Sequence, residues 1–322
     1  MEVKKLTDAD KSVQAELTKL LMLASKQYYE DGQSQLSDFE FDRQLNRLQA
    51  LEQESGYAYE GSPSISVGAK TVVTGLETVH HEQPALSLGK VKYANRDELV
   101  SWLGEKQGVL SWKMDGSTVV VTYNGGKLVM AATRGNGIDG FDVTHNAAAI
   151  IGLPMEIPDK RHIVVRGEAI MTYEEFNRID EETYGVYKNP RNLAAATLQI
   201  YDSAEAAKRE IRFYGFKLVV PEASSDELRY ETDRFAFMQS MGIQTVKYCT
   251  VSQNTILDEI ERWQADIPHN PYPTDGLVLS YNDQVYADQL GNTAKHPRGS
   301  IAMKWTDEME ETVLRDVEWS VG

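Results

Sequence analysis

The sequence has one cysteine, Cys249, in 322 residues. That excludes an internal disulfide and any cysteine-rich zinc module. No stretch approaches the roughly 18 apolar residues of a membrane-crossing helix, and the leading MEVKKLTDADK lacks the apolar segment of a secretion signal. Basic residues are also in short supply: 33 Lys and Arg face 49 Asp and Glu, a net charge of −16. An acidic surface repels phosphate backbones, so this chain alone is poorly suited to tight nucleic-acid binding. Internal repeats and low-complexity tracts are absent. With 41% hydrophobic and 25% charged residues, the composition excludes disorder and a collagen-like repeat. These absences point to a soluble, cytoplasmic protein with no membrane partner, and the length to two compact units.

What is present begins with a helical segment. Val13, Leu17, Leu20, Leu21, Ala24 and Tyr28 recur at helical spacing. After a turn at Gly32, Ser37 and Glu40 form a capping box that opens a second helix bearing Phe41, Leu45, Leu48 and Leu51. The Gly-, Ser- and Pro-rich stretch from Gly56 to Lys70 is the best boundary. Strand patterns follow: Ser117–Tyr123 is β-branched, and Asn124-Gly125 marks a hairpin returning through Lys127–Ala132. Further strands are predicted at Ile163–Ile170, Ile211–Val220, Gly276–Tyr281 and Ser300–Trp305, with helices capped by Thr172 and Glu175 and at Asp258–Trp263. The predicted fold class is α+β, with mixed, mainly antiparallel sheets and flanking helices behind a small helical domain.

Gly135-Asn136-Gly137-Ile138-Asp139-Gly140 fits the dinucleotide-binding spacing G-x-G-x-x-G, with Asp159 about 20 residues on. That motif needs a parallel strand before it and a crossover helix after it. Here the preceding strand is the second arm of a hairpin, so the dinucleotide reading fails. Lys113-Met114-Asp115-Gly116 is more specific, because an amine whose pKa is lowered can attack phosphorus. Taken alone, the tetrapeptide still favours a plain strand lysine reaching past Trp112.

It does not stand alone. Ala132-Thr133-Arg134-Gly135 opens a motif running to Asn146. Val165-Arg166-Gly167-Glu168, Asn189-Pro190-Arg191-Asn192, Asp275-Gly276 and Lys304 follow in order, as does Leu290-Gly291 through Pro297-Arg298. With these motifs, from Tyr28 to Trp319, the sequence resembles the adenylation region of bacterial NAD-dependent DNA ligases. The resemblance implies a helical domain over residues 1–68 and a nucleotidyltransferase domain over 69–315. Residues 316–322 would begin a connection to an OB-fold outside this chain. It also implies NAD and Mg²⁺ as cofactors, and nicked DNA as a partner only when further C-terminal domains are supplied. Lys113 would be the nucleophile that takes AMP and expels nicotinamide mononucleotide, and Lys304 would neutralise the phosphate. Asp115 and Asp275 would stand at the metal. Arg134 and Glu168 would hold the ribose, Phe216 would stack on adenine, and Ser87 and Leu88 would also line the nucleotide. Tyr28, Tyr29, Asp38 and Asp42 would hold the nicotinamide mononucleotide half; Asp38 and Asp42, four residues apart, share one helical face. Arg191 and Lys188 are candidates for weak, salt-sensitive DNA contacts.

The sequence also departs from the family pattern. Ser111 replaces a glutamate and Ser280 a lysine, both of which contact adenine in the family. Asn136 and Gln199 replace an aspartate and an arginine, Phe41 a tyrosine, and a family tryptophan is missing near Arg298-Gly299-Ser300. The stretch His269–Pro273 carries an altered loop without the family's arginine. Three readings therefore compete: an adenylating enzyme of this family, a degenerate module that binds NAD or AMP without turnover, and a nucleotidyltransferase with another acceptor or base.

Overall fold

Two amphipathic helices open the chain in the computed structural model, which describes residues 8–30, 36, 38–55, 62, 76–182, 187–200, 202–224, 226–293 and 296–305. Helices α1 (Asp8–Glu30) and α2 (Asp38–Ser55) bury Leu17, Leu21 and Leu48 against each other, with Val13, Phe41, Leu45 and Leu51 packed around them. The buried stripe of α1 runs Leu17–Leu21–Ala24, a spacing of four and three residues. Leu20, expected on that stripe, lies on its flank and is exposed. Ser37, half of the expected capping box, lies outside the described residues.

The rest of the described chain builds two main sheets. In chain order the elements are β1 (Thr78–His80), β2 (Gly89–Lys92), α3 (Glu98–Leu103), β3 (Gly108–Met114), β4 (Ser117–Asn124), β5 (Lys127–Thr133) and β6 (Asp139–Phe141). They continue through β7 (Ile163–Ile170), α4 (Tyr173–Glu182), α5 (Pro190–Leu198), α6 (Ser203–Ala207), β8 (Arg212–Val219), α7 (Glu231–Ser240) and β9 (Tyr248–Val251). The last are α8 (Ile256–Asp266), β10 (Thr274–Tyr281), α9 (Gln284–Leu290) and β11 (Ser300–Lys304). The first sheet has the order β2-β11-β10-β3-β9 and the second β5-β4-β7-β8; β1 and β6 form a small ribbon. Every pairing is antiparallel except β2 with β11.

Each sheet has its own core. Leu110, Trp112, Leu277 and Leu279 of the first pack on Leu99, Leu103, Ile260 and Trp263 of α3 and α8. Val119, Val121, Ile163, Val165 and Phe213 of the second pack with Leu193 of α5 and Phe235 of α7. At roughly 1.5–3 kcal/mol per fully buried aliphatic or aromatic side chain, these cores hold the strands between them rigidly. The hairpin after β4 turns one residue later than the Asn124-Gly125 signal implies. Asn124 pairs with Lys127, and Gly125 and Gly126 form the loop at φ of 61° and 82°. A two-residue type I′ turn demands positive φ at both positions, which this glycine pair supplies.

Candidate functional site

The site forms where one chain segment passes from the first sheet to the second. Strand β3 ends at Met114, Asp115-Gly116 turns, and β4 begins at Ser117 in the other sheet. The turn needs a glycine: a Cβ at position 116 would collide with Ala169 O and Ile170 Cγ2 of β7. Lys113, two residues before Asp115 in that turn, is thereby fixed at the seam of the two sheets.

Across the first sheet, Gly276 of β10 lies opposite both Lys113 of β3 and Lys304 of β11. It too has no room for a side chain, because its Cβ would meet the Met303 carbonyl. The β3–β10 register slips between Thr274 and Gly276, leaving Asp275 as the extra residue of a bulge. Bulges re-aim side chains, and this one turns the Asp275 carboxylate onto the two lysines. Lys113 Nζ donates to Asp275 Oδ1 at 2.7 Å and Oδ2 at 2.8 Å, and Lys304 Nζ lies 3.2 Å from Oδ2. Burial pushes the Asp275 pKa up, but Lys113, Lys304 and Arg191 together outweigh it and hold the carboxyl below its ordinary value.

Opposite this cluster stands Glu168 of β7, itself buried. It accepts from Gly116 N at 3.3 Å and Thr118 Oγ1 at 3.0 Å. Burial raises its pKa to about 7, against the pull of Lys113, of these donors and of Arg134. Arg134 ends the run from β5, its backbone N–H donating to Thr118 O at 3.0 Å.

Asn189-Pro190-Arg191-Asn192 is a helix start. Asn189 Oδ1 accepts from Asn192 N at 2.9 Å, and proline occupies the first turn of α5. This places Arg191 inward, where Nη1 donates to Asp115 Oδ1 at 2.6 Å. Arg191 is thus half-buried against Asp115, while Lys188 is exposed. Asp115 N donates to Pro273 O at 2.9 Å, tying the turn to the altered loop, and that loop is held by a Tyr214–Tyr272 hydroxyl bond of 2.8 Å.

The remaining expected residues lie further out. Ser87 and Leu88 are half-buried just before β2, and the Ser87 carbonyl meets His296 Nδ1 at 3.0 Å. Phe216 sits where the β7–β8 register slips, half-buried and packed on the second core. Tyr28 and Tyr29 are in the last turn of α1, and Asp38 and Asp42 in the first turns of α2; their side chains lie outside the described residues. Ser111 is buried on β3 opposite Val278, two residues from Lys113. Ser280 and Ser300 pair across β10 and β11 with hydroxyl oxygens 2.8 Å apart. Asp159 is occupied by Arg161 on the surface, and a short ribbon strand rather than a crossover helix follows the glycine-rich loop. Among the described residues no group of three or more His, Cys, Asp and Glu converges as a ready metal cage.

A lysine at the junction of two mainly antiparallel sheets, faced by cations and by carboxylates buried to different degrees, is the centre of this α+β fold. The chain belongs to the NAD-dependent DNA ligase adenylation domain family. Residues 73–308 match that family, and residues 7–68 match the DNA ligase-like, N-terminal NAD⁺-binding domain. A DNA ligase of Lachnoclostridium phytofermentans is 39% identical over 313 residues, covering 95% of this chain and 47% of the relative. One from Ruminiclostridium cellulolyticum is 38% identical over 307 residues, covering 94% and 46%. The chain thus spans about half the length of the curated relatives it matches. Among the described residues no helix is long and apolar enough to cross a membrane.

Proposed function

We propose that this chain is the self-adenylating portion of an NAD-dependent DNA ligase, with Lys113 attacking the α-phosphorus of NAD. Nζ loses a proton and forms the N–P bond. The bond from phosphorus to the bridging oxygen breaks, and nicotinamide mononucleotide leaves with that oxygen and its electron pair. The product is a lysine–AMP phosphoramidate. In a protein with further C-terminal domains, AMP then passes to the 5′-phosphate of nicked DNA.

One observation carries the reading: Asp275 bridges Lys113 and Lys304. The carboxylate touches the ammonium whose proton must depart, and Lys304 stands beside the attacking nitrogen, where charge on a transferring phosphoryl group is best neutralised. Arg134 and Glu168 would hold the ribose, Phe216 would offer a face to adenine, and Ser87 and Leu88 would border the nucleotide. Tyr28, Tyr29, Asp38 and Asp42 would take the nicotinamide mononucleotide half, within a helical unit over 1–68 that precedes the catalytic unit over 69–315. Mg²⁺ prefers a few carboxylate oxygens and several waters. Asp115 and Asp275 fit it as ligands once phosphate shares their cationic partners, and the ion when bound supplies charge neutralisation at phosphate.

Intact-mass spectrometry after incubation with NAD or ATP tests this. An AMP adduct forms from NAD in the wild type and not in Lys113→Ala; an adduct from ATP but not NAD refutes the reading. The competing reading, a binding module without turnover, draws on the Ser280–Ser300 hydroxyl pair. There two neutral groups satisfy each other at a position where the family holds a charge. NAD binding without any adduct would favour it.

A further inference from the structure

We propose that His81 is the positioning residue for Arg134, holding the loop that presents its guanidinium to a bound nucleotide. The inference rests on the adenylation reading above for the identity of that nucleotide. Residues 77–85 form a strap across the glycine-rich loop. Glu77 O accepts from Asp142 N at 2.8 Å, Thr78–His80 pair with Asp139–Phe141, His81 N donates to Ile138 O at 2.8 Å, and Ala85 N donates to Gly137 O at 2.8 Å. Beneath these bonds the imidazole is 6% exposed, and its Nε2 lies 3.1 Å from the Arg134 carbonyl.

A carbonyl only accepts, so Nε2 must carry the hydrogen. Burial first, and then the nearby Arg166 guanidinium, lower the His81 pKa against the pull of Asp139 and of the backbone carbonyls of Arg134 and Thr133. The imidazole is therefore neutral at pH 7. Its N–H is directed at the Arg134 carbonyl, beside that of Thr133.

That peptide is the hinge of the loop. It leads directly into Gly135 at φ 54°, followed by Gly137 at φ 89°. Glycine imposes little conformational preference of its own, so rotation of the Arg134–Gly135 peptide is opposed chiefly by the two donors on its oxygen, His81 Nε2 at 3.1 Å and Gly137 N at 3.0 Å. Arg134 in turn is close enough to Glu168 to lower the glutamate's pKa. A shift of the peptide would move the guanidinium relative to the Glu168 and Lys113 side of the cleft. The backbone bonds of the strap fix where the loop lies, and the imidazole reinforces the Gly137 N–H in fixing which way its first peptide faces.

Glutamine can place an amide N–H near the position of Nε2; asparagine, one methylene shorter, cannot. The test uses the full chain in four variants: His81→Gln, His81→Asn, Arg134→Ala and the Arg134→Ala/His81→Asn double substitution. AMP binding is measured by calorimetry and adenylation by NAD kinetics. His81→Gln should bind AMP within about twofold of wild type, and His81→Asn about tenfold more weakly, the loss expected for one buried hydrogen bond. The KM for NAD should rise more than kcat falls. In the Arg134→Ala background His81→Asn should add nothing, because an effect transmitted through Arg134 cannot persist without it. Equal AMP affinity in wild type and His81→Asn, additive losses in the double variant, or failure of both His81 variants to fold would overturn the proposal. If wild type binds AMP but is never adenylated by NAD, the functional reading falls while the ordering of AMP affinities still decides the role of His81. If wild type binds no AMP, both fall.

Discussion

Asp275→Asn is the most informative perturbation of the lysine cluster. Asparagine keeps the shape and one acceptor oxygen of the bulge residue but removes the charge between Lys113 and Lys304. Removing one partner of a buried ion pair costs about 3–5 kcal/mol, because the other charge is left uncompensated. Here two ammonium groups lose their partner, but they are not fully enclosed. The side chains of Lys113, Lys304 and Asp275 are 24%, 22% and 19% exposed, so water screens part of the repulsion. We therefore expect the low end, about 3 kcal/mol at pH 7. At about 2–4 °C per kcal/mol for a domain of this size, the catalytic unit should melt roughly 6–12 °C lower. The pH dependence has a definite sign. The folded Asp275 pKa lies below its ordinary value, so its stabilisation is present above the unfolded pKa and disappears as pH falls through the folded one. The deficit of Asp275→Asn should thus be full at neutral pH and shrink below the ordinary carboxylate range. Adding Lys304→Met to Asp275→Asn should restore part of the loss. Scanning calorimetry from pH 7 downward checks all three statements. A variant melting within a degree of wild type at neutral pH would mean that the three charges are not coupled.

Glu168 gives the opposite slope. Its folded pKa is raised from 4.5 to about 7, so the fold resists its ionisation. Urea denaturation should find Glu168→Gln gaining on wild type between pH 5 and pH 8, by up to about 3 kcal/mol; a constant difference across that range would refute this. Gly116→Ala forces a methyl group into Ala169 O and Ile170. It should lower stability by about 1–3 kcal/mol and depress adenylation along with it, measured by denaturation and mass spectrometry on the same samples.

The legible part of the fold is the part whose burial is one-sided or complete. Ile163–Ile170 reads as a strand because β7 is central in its sheet and nearly every residue is buried. Ser117–Tyr123 reads as one because β-branched residues fit a pleated surface. The short strands were not legible. Gly89–Lys92 and Thr78–His80 have three or four residues and little apolar alternation, and their pairing partners lie far along the chain, at Ser300–Lys304 and Asp139–Phe141. Strand β6 lies inside a glycine-rich motif that reads as loop. Helix α9 is only seven residues long, with Tyr286, Ala287 and Leu290 as its apolar face, and its start is specified by Asp283, whose Oδ1 accepts from Val285 N and Tyr286 N.

Motif order names Lys113, Asp275 and Lys304, but it carries no information on why they meet. The meeting depends on a glycine facing two lysines across adjacent strands and on one extra residue in a ladder. The bulge's one trace is Gly276 beside it, since a strand glycine often marks a bulge, but the residue pushed out of register, Asp275, carries no signal of its own. Arg191 escaped for a related reason. Its motif reads as a helix start, but the direction in which the first turn points is set by packing of α5 on β7 and β4, and only that packing brings its guanidinium to Asp115. The same holds for His81, hidden in a segment whose only sequence signal is the absence of one. The lysine can be named from the chain; the carboxylates and cations that set its protonation become assignable only when strand register and helix packing are known.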